Sequence, residues 1–281
     1  MVILITGSTG FLGRRAAAHF SALGHRVLTP SSTELNITDA DNVKHWFEQH
    51  QPETVIHCAA VSDTGLCQKK PEWSHRINVD GSLHLARACV RTASKFLLCS
   101  SDQVYHASSL PGPHMESESL MPESAYARQK LLAEQLCHSI CPSMVSLRLS
   151  WMYSTQLLPD EHGHLLTALR SSLQDDTSPI IRSVNDFRGI TDVDDVVRNL
   201  SAALDLPAGI YNFGAANDLD AYRTMKAVFE ALNLHHMLGR LVPDATAPAR
   251  DIRMDCSLAA SYGITFPSTV EGLCHAVSTL L

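Results

Sequence analysis

The chain has 281 residues, enough for one large domain or for a nucleotide-binding domain with a smaller partner. Hydrophobic residues make up 45% and charged residues 18%, a globular balance that argues against disorder. The formal net charge of −7 leaves no basic footprint for nucleic acid, so an anionic substrate has to be held by a few local arginines or lysines.

In chain order, Val2–Thr6 is apolar but short and runs straight into a glycine loop, so it reads as a buried first strand and not as a signal peptide. Residues 11–23 carry a helical pattern closed by Gly24, and 25–29 read as the next strand. A helix follows over 39–50, with Thr38 or Asp39 placed to cap it. Thr54–His57 is another apolar strand, 73–93 a long helix, 96–100 a strand, 122–139 a helix and Val145–Leu149 a strand. Repeated strand–helix units imply a doubly wound parallel sheet with helices on both faces.

After about Ser150 the rhythm changes. Residues 151–155 read as a polar, aromatic turn, 164–173 and 193–204 as helices, 180–184 and 210–213 as strands, 221–232 as a helix and 243–250 as a proline-containing loop. The expected organisation is a nucleotide-binding domain over 1–150, with added segments near 180–213, and a smaller substrate-binding cap drawn mainly from 151–281. No stretch is long and apolar enough to span a bilayer. The eight cysteines form no CxxC pair and read as reduced packing residues of a cytoplasmic protein. The 15 histidines show no metal-ligand spacing, so no metal is expected.

Three motifs carry chemistry. The first is Thr6-Gly7-Ser8-Thr9-Gly10-Phe11-Leu12-Gly13, between a strand and a helix. Gly7 permits a tight turn, Gly10 lets a pyrophosphate approach the backbone, and Gly13 lets the helix pack on the strand, with the phosphates at the helix N-terminus. An NAD site usually has an acid after the second strand to hold the ribose 2′-hydroxyl, whereas Val27-Leu28-Thr29-Pro30-Ser31-Ser32 has none. Arg14, Arg15, Ser31 and Ser32 are therefore read as partners for a 2′-phosphate, which favours NADP(H) over NAD(H). Asn36 is placed to reach the adenine. The second motif is Tyr126-Ala127-Arg128-Gln129-Lys130, whose four-residue spacing puts the phenol and the ammonium on one helix face. The lysine is expected to lower the tyrosine pKa, so that Tyr126 can pass a proton to a carbonyl as hydride arrives. The third is the strand end at Ser100-Ser101-Asp102, where the Ser101 hydroxyl can polarise the same oxygen.

Together these stretches resemble the extended short-chain dehydrogenases, and within them the dTDP-4-dehydrorhamnose reductase branch. The resemblance covers nearly the whole chain: TGSTGFLG at 6–13, VIHCAA at 55–60, INVDG at 77–81, SSDQVY at 100–105, YARQK at 126–130, RLSWMYS at 148–154 and ARDIRMDCS at 249–257. It implies a Rossmann fold, a catalytic triad of Ser101, Tyr126 and Lys130, and a pyrophosphate site at Gly7, Gly10 and Gly13 flanked by Ala59 and Ala60. It also implies that Lys130 clamps the nicotinamide ribose and that the substrate is a nucleotide-activated keto-sugar. Asp102, Trp151, Arg188, Arg250 and Arg253 are the candidate substrate-binding residues, and a homodimer is compatible with the pattern.

The chain departs from the branch on the substrate side. Ser100-Ser101-Asp102-Gln103-Val104-Tyr105 stands where Ser-Thr-Asp-Tyr-Val-Phe is usual, Asp186-Phe187-Arg188-Gly189-Ile190-Thr191 differs from the usual loop, and Arg250-Asp251 replaces Arg-Pro. The identity of the sugar does not follow. Sugar-nucleotide 4,6-dehydratases carry Asp-Glu at this strand end, and the amide of Gln103 cannot act as that base. An epimerase remains a rival, as does a non-catalytic NADP-binding subunit similar to the regulatory β-subunit of methionine adenosyltransferase.

Overall fold

The computed structural model describes residues 1–156, 165–175 and 177–281, in two compact units. The first unit comprises Met1–His106, Ser119–Leu149 and Val197–Tyr211, and the second Ala107–Glu118, Ser150–Val196 and Asn212–Leu281.

In the first unit β1 (Val2–Thr6) leads through the glycine loop to α1 (Phe11–Ala22). The α1 helix buries the stripe Leu12, Gly13, Ala16 and Phe20. Gly24, at φ +80°, supplies the left-handed residue that turns the chain into β2 (Arg26–Leu28). Asp39 caps α2 (Ala40–His50), its carboxylate accepting from the N–H groups of Asp41 at 3.0 Å and Asn42 at 3.1 Å. β3 (Thr54–His57) follows, then α3 (Thr64–Lys69), which six residues of weak pattern did not announce; the Asp63 carboxylate accepts from Leu66 N–H at 2.7 Å and starts it.

The single helix expected over 73–93 is interrupted. It runs as α4 (Pro71–His75), a π-helical turn (Arg76–Asp80) and α5 (Gly81–Thr92). Close packing against the loop between β2 and α2 marks the end of the turn, since a Cβ on Gly81 would lie 2.8 Å from the Ile37 side chain. β4 (Lys95–Ser101), α6 (Ala125–Ile140) and β5 (Val145–Leu149) complete the alternation.

These strands form a six-stranded sheet in the order Gly209–Phe213, β5, β4, β3, β1, β2, and every neighbouring pair among β1 to β5 is parallel. β3 and β5 are buried throughout, as strands covered on both faces are, and they take the polar Thr54, His57, Ser146 and Arg148 inside with them. The chain leaves β1 toward β2 and then returns to β3 on the other side. This doubly wound, Rossmann-like order puts a switch point between β1 and β3, where a crevice opens at the carboxyl ends of the strands.

The second unit has its own core around Tyr153, Leu166, Ile180, Met225, Phe229 and Leu273. Three short parallel strand pairs run through it: Trp151–Tyr153 with Ile190–Asp192, Ile180–Ser183 with Leu241–Asp244, and Asp186–Phe187 with Arg250–Asp251. Two expectations are corrected here. The segment 151–155 begins as a strand because 190–192 offers it a ladder, and the loop expected over 243–250 starts inside a strand that contains Pro243. Proline is tolerated there because a two-stranded ribbon is all edge. The helix expected over 164–173 is seen as Leu165–Gln174, and His164 lies outside the described residues. A closing helix, Thr269–Ser278, starts with a capping box in which Ser268 and Glu271 exchange side-chain and backbone hydrogen bonds.

Candidate active site

The glycine loop joins β1 to α1 at the switch point. Gly7 has φ +68°, and a Cβ on it would stand 2.7 Å from the backbone N and Cα of Ala59. A Cβ on Gly13 would stand 2.2 Å from the Gly7 carbonyl oxygen. Only glycine lets the loop, the end of β3 and the first turn of α1 approach this closely. Gly10 occupies the N-cap of α1 with no side-chain cap, so the first N–H groups of a twelve-residue helix face the loop. Beneath it the buried His57 imidazole is bonded to Thr6 Oγ1 at 2.7 Å and to Ser82 Oγ at 2.9 Å. Burial, helped by the Lys130 charge, pushes its pKa down to about 3.

A cavity of about 750 Å³ opens over this loop. Of the residues expected there, Gly7, Thr9, Gly10, Ser31, Ser32 and Asn36 line it, as do Ala59 and Ala60 at the end of β3. Leu12 and Gly13 are buried in the packing of α1 instead, and Phe11 lies under the Arg15 guanidinium at 4.4 Å. Arg14 and Arg15 do not line the cavity. Arg14 donates to the Thr9 carbonyl from Nε at 3.1 Å and from Nη2 at 2.5 Å, and Arg15 donates to the Phe11 carbonyl at 2.9 Å. Their first-turn position brings the guanidiniums back onto the Thr9 and Phe11 carbonyls of their own loop and helix, which hold them there. Ser31 is also engaged: its N–H and hydroxyl both donate to the Glu34 carboxylate at 2.8 Å. The cation that does line the cavity is Arg76, from the π-helical turn. Sequence reasoning passed over it, although it stands directly before the quoted Ile77-Asn78-Val79-Asp80-Gly81 stretch. The loop and the cavity fit a nicotinamide dinucleotide, and no carboxylate is among the described residues that line it.

The catalytic candidates come from β4 and α6. Ser101 ends β4 and caps a short 3₁₀ turn, Asp102–Tyr105; its Oγ accepts from Gln103 N–H at 3.2 Å and donates to Asp102 Oδ1 at 3.2 Å. Tyr126 and Lys130 stand one turn apart on α6, 7% and 5% exposed, which makes the ionisation of either costly. The Lys130 ammonium donates to the Cys99 carbonyl at 2.8 Å and lies 5.9 Å from the centre of the Tyr126 ring. Burial holds the Tyr126 phenol well above its ordinary pKa, and a hydrogen bond with Ser101 only partly opposes it. Burial also lowers the Lys130 pKa. The expected lowering of the tyrosine pKa is therefore corrected: desolvation raises it instead. The phenol keeps its proton at neutral pH, the state a proton donor needs.

The α6 helix is held in place by buried polar groups. Arg148 on β5 binds Glu134 in a fork, at 2.8 and 3.2 Å, and donates to Tyr105 Oη at 2.8 Å. Gln129 accepts from Asn78 at 2.9 Å and donates to Ser74 Oγ at 2.8 Å. These bonds tie the helix bearing Tyr126 and Lys130 to the strand end and to the turn carrying Arg76.

In the second unit a cavity of about 500 Å³ is lined by Trp151, Arg182, Asp186, Arg188 and Arg250 among others. Arg250 grips Asp186 through two bonds, Nε to Oδ1 at 2.8 Å and Nη2 to Oδ2 at 2.6 Å. Arg188 approaches the same carboxylate at 3.4 Å and stacks 5.1 Å over the Trp151 ring. Arg253 is placed elsewhere: it binds Asp251 at 2.6 and 2.9 Å and the Gly112 carbonyl at 2.9 Å, over the Phe187 ring. Asp251 Oδ2 in turn accepts from Gly112 N–H at 3.0 Å, so this pair braces a loop.

The sequence model of the RmlD substrate binding domain matches residues 1–259, nearly the whole chain. The chain belongs to this family. A dTDP-4-dehydrorhamnose reductase of Mycolicibacterium smegmatis is 32% identical to it over 151 residues, 54% of this chain and 46% of that one, so the match spans about half the length of that relative. Methionine adenosyltransferase 2 subunit beta of Pongo abelii is 24% identical over 277 residues, 93% of this chain and 82% of that one. The crystal structure of a Bacillus anthracis dTDP-4-dehydrorhamnose reductase in complex with NADP superposes with a TM-score of 0.84 at 20% identity, covering 99% of this chain and 98% of that one. That likeness is one of fold, and it agrees with the Rossmann-like sheet. Among the described residues no helix is long and apolar enough to cross a membrane, and no cluster of side chains has the make-up of a metal site.

Proposed function

We propose that the chain is an NADPH-dependent reductase of a nucleotide-activated 4-keto sugar. The observation that carries this reading is the buried Tyr126 phenol beside Ser101, with Lys130 one turn further along α6. The bound dinucleotide supplies the hydride. Tyr126 Oη gives its proton to the carbonyl oxygen that becomes the hydroxyl, and Ser101 Oγ turns from Asp102 to donate a hydrogen bond to that oxygen. Lys130 has its ammonium at the end of β4, on the Cys99 carbonyl, with protons left to bond a ribose hydroxyl and to stabilise the phenolate after transfer. The family resemblance supports both roles.

The second unit's cavity holds the nucleotide diphosphate in this reading. Arg182, Arg188 and Arg250 against Asp186 leave it a net charge of +2, matching a dianionic diphosphate diester, and the guanidinium fork bonds two oxygens at once. Trp151, 41% exposed, offers a face for a base or sugar. The test is NADPH oxidation over a panel of nucleotide keto-sugars: turnover of at least one, lost in Tyr126→Phe, supports the reading, and inactivity on all of them overturns it.

One observation favours a second reading. The alignment with methionine adenosyltransferase 2 subunit beta covers 93% of this chain, more than the 54% aligned with the mycobacterial reductase. A non-catalytic dinucleotide-binding subunit would bind NADP and a partner polypeptide without turnover, which a pull-down combined with the same screen distinguishes.

A further inference from the structure

The dinucleotide cavity carries a single formal charge among the described residues that line it, and that charge is Arg76. The rest of the lining is glycine, hydroxyl, amide, thiol and apolar groups. Arg14 and Arg15 bond to the Thr9 and Phe11 carbonyls. The Ser31 hydroxyl and N–H are taken by Glu34 at 2.8 Å, so this serine reaches an anion only by leaving a carboxylate.

The backbone presents Arg76 in an unusual way. It is the first residue of the π-helical turn between α4 and α5, where a wider turn rotates the side chains away from a regular helical register. π-helical turns occur often at functional sites. The same turn is locked by Asn78, whose side chain accepts from Val61 N–H at 2.8 Å and donates to Gln129 at 2.9 Å. The position of Arg76 is thus fixed by the same bonds that brace α6. Its helical neighbours of opposite charge leave it alone: Asp80 meets His75 at 3.8 Å, and among the described residues neither Glu72 nor Asp80 pairs with Arg76. An exposed arginine with its guanidinium uncommitted, on the wall of a cavity without carboxylates, is built to meet an anion.

We propose that Arg76 is the residue that recognises the 2′-phosphate of NADP(H), and so sets the preference for the phosphorylated cofactor. The inference rests on the dinucleotide reading of this cavity. The pyrophosphate has its own partners in the glycine loop and the α1 N-terminus, which leaves the 2′-phosphate as the anion without one. Two N–H groups of one guanidinium can bond two of its oxygens.

The test is calorimetric or fluorescence titration of wild type, Arg76→Gln and Arg76→Lys with NADPH, NADH, 2′-phospho-ADP-ribose and ADP-ribose. Removing a charge-assisted fork should weaken NADPH and 2′-phospho-ADP-ribose roughly 10- to 100-fold and NADH and ADP-ribose less than about 3-fold. Arg76→Lys should fall between, since it keeps the charge and loses the fork. Retained NADH affinity also shows that the variant is folded. Equal losses for both cofactor pairs, or no loss for either, overturn the role of Arg76 while leaving the cavity a dinucleotide site. A wild type that binds none of the four ligands overturns the dinucleotide reading itself, and this proposal with it.

Discussion

Lys130 extends its ammonium to the main-chain carbonyl of Cys99, 2.8 Å away, across the gap between α6 and the end of β4. The bond joins the two elements that carry the proposed catalytic groups, because Cys99 lies two residues before Ser101 and Lys130 one turn after Tyr126. A buried lysine without that carbonyl would be a costly charge. Lys130→Met should therefore weaken dinucleotide binding as well as turnover. Tyr126→Phe keeps the ring and loses only the phenolic proton, so reduction should fall on the order of 10²- to 10⁴-fold with binding nearly unchanged. Single-turnover loss of NADPH absorbance, with affinity measured separately, distinguishes the two variants.

Arg148 and Glu134 are 2% and 1% exposed, and each is the other's compensating charge. Removing one partner leaves a buried charge, and the cost should be about 3–5 kcal/mol for Arg148→Met or Glu134→Leu alone. Replacing both together should recover most of that loss. Urea unfolding of the two single variants and the double variant gives the coupling directly. Additive losses would show that the pair is not coupled.

His57 makes stability depend on pH. Its folded pKa is about 3, below the ordinary histidine value of 6.5, because burial disfavours the imidazolium. Between those values the unfolded chain binds a proton that the folded chain does not. The stability from this group is thus full above about pH 6.5 and is lost as pH falls, at about 1.4 kcal/mol per pH unit. His57→Gln, which does not titrate, should lose less stability than wild type between pH 7 and pH 5 in denaturant titrations. Equal slopes would mean that other groups carry the acid sensitivity.

Arg250 and Arg253 are three residues apart and should behave differently. Arg250 lines the second unit's cavity, whereas Arg253 is committed to Asp251 and Gly112. Arg250→Ala should raise the substrate KM roughly 10- to 100-fold with little change in the cofactor KM. Arg253→Ala should lower the unfolding midpoint and leave the substrate KM nearly unchanged. Initial-rate kinetics and thermal unfolding of both variants check this.

Much of this was legible in the chain because it rests on local rules. The alternation of strands and helices, the glycine loop and the one-face pairing of Tyr126 with Lys130 all follow from backbone periodicity and the absence of a Cβ. These features need no knowledge of what packs against them. The direction and environment of side chains are different. Arg14 and Arg76 carry the same charge, yet the first folds back onto Thr9 while the π-helical turn aims the second into the cavity. Spacing brings Tyr126 and Lys130 together, but the sign of the tyrosine shift depends on burial among distant elements, and burial won. Arg250 and Arg253 were separated only once Asp186 and the Gly112 carbonyl had been brought to them, 64 and 141 residues away. Local geometry is written in the sequence; desolvation and ion pairing depend on long-range neighbours, which only the folded chain supplies.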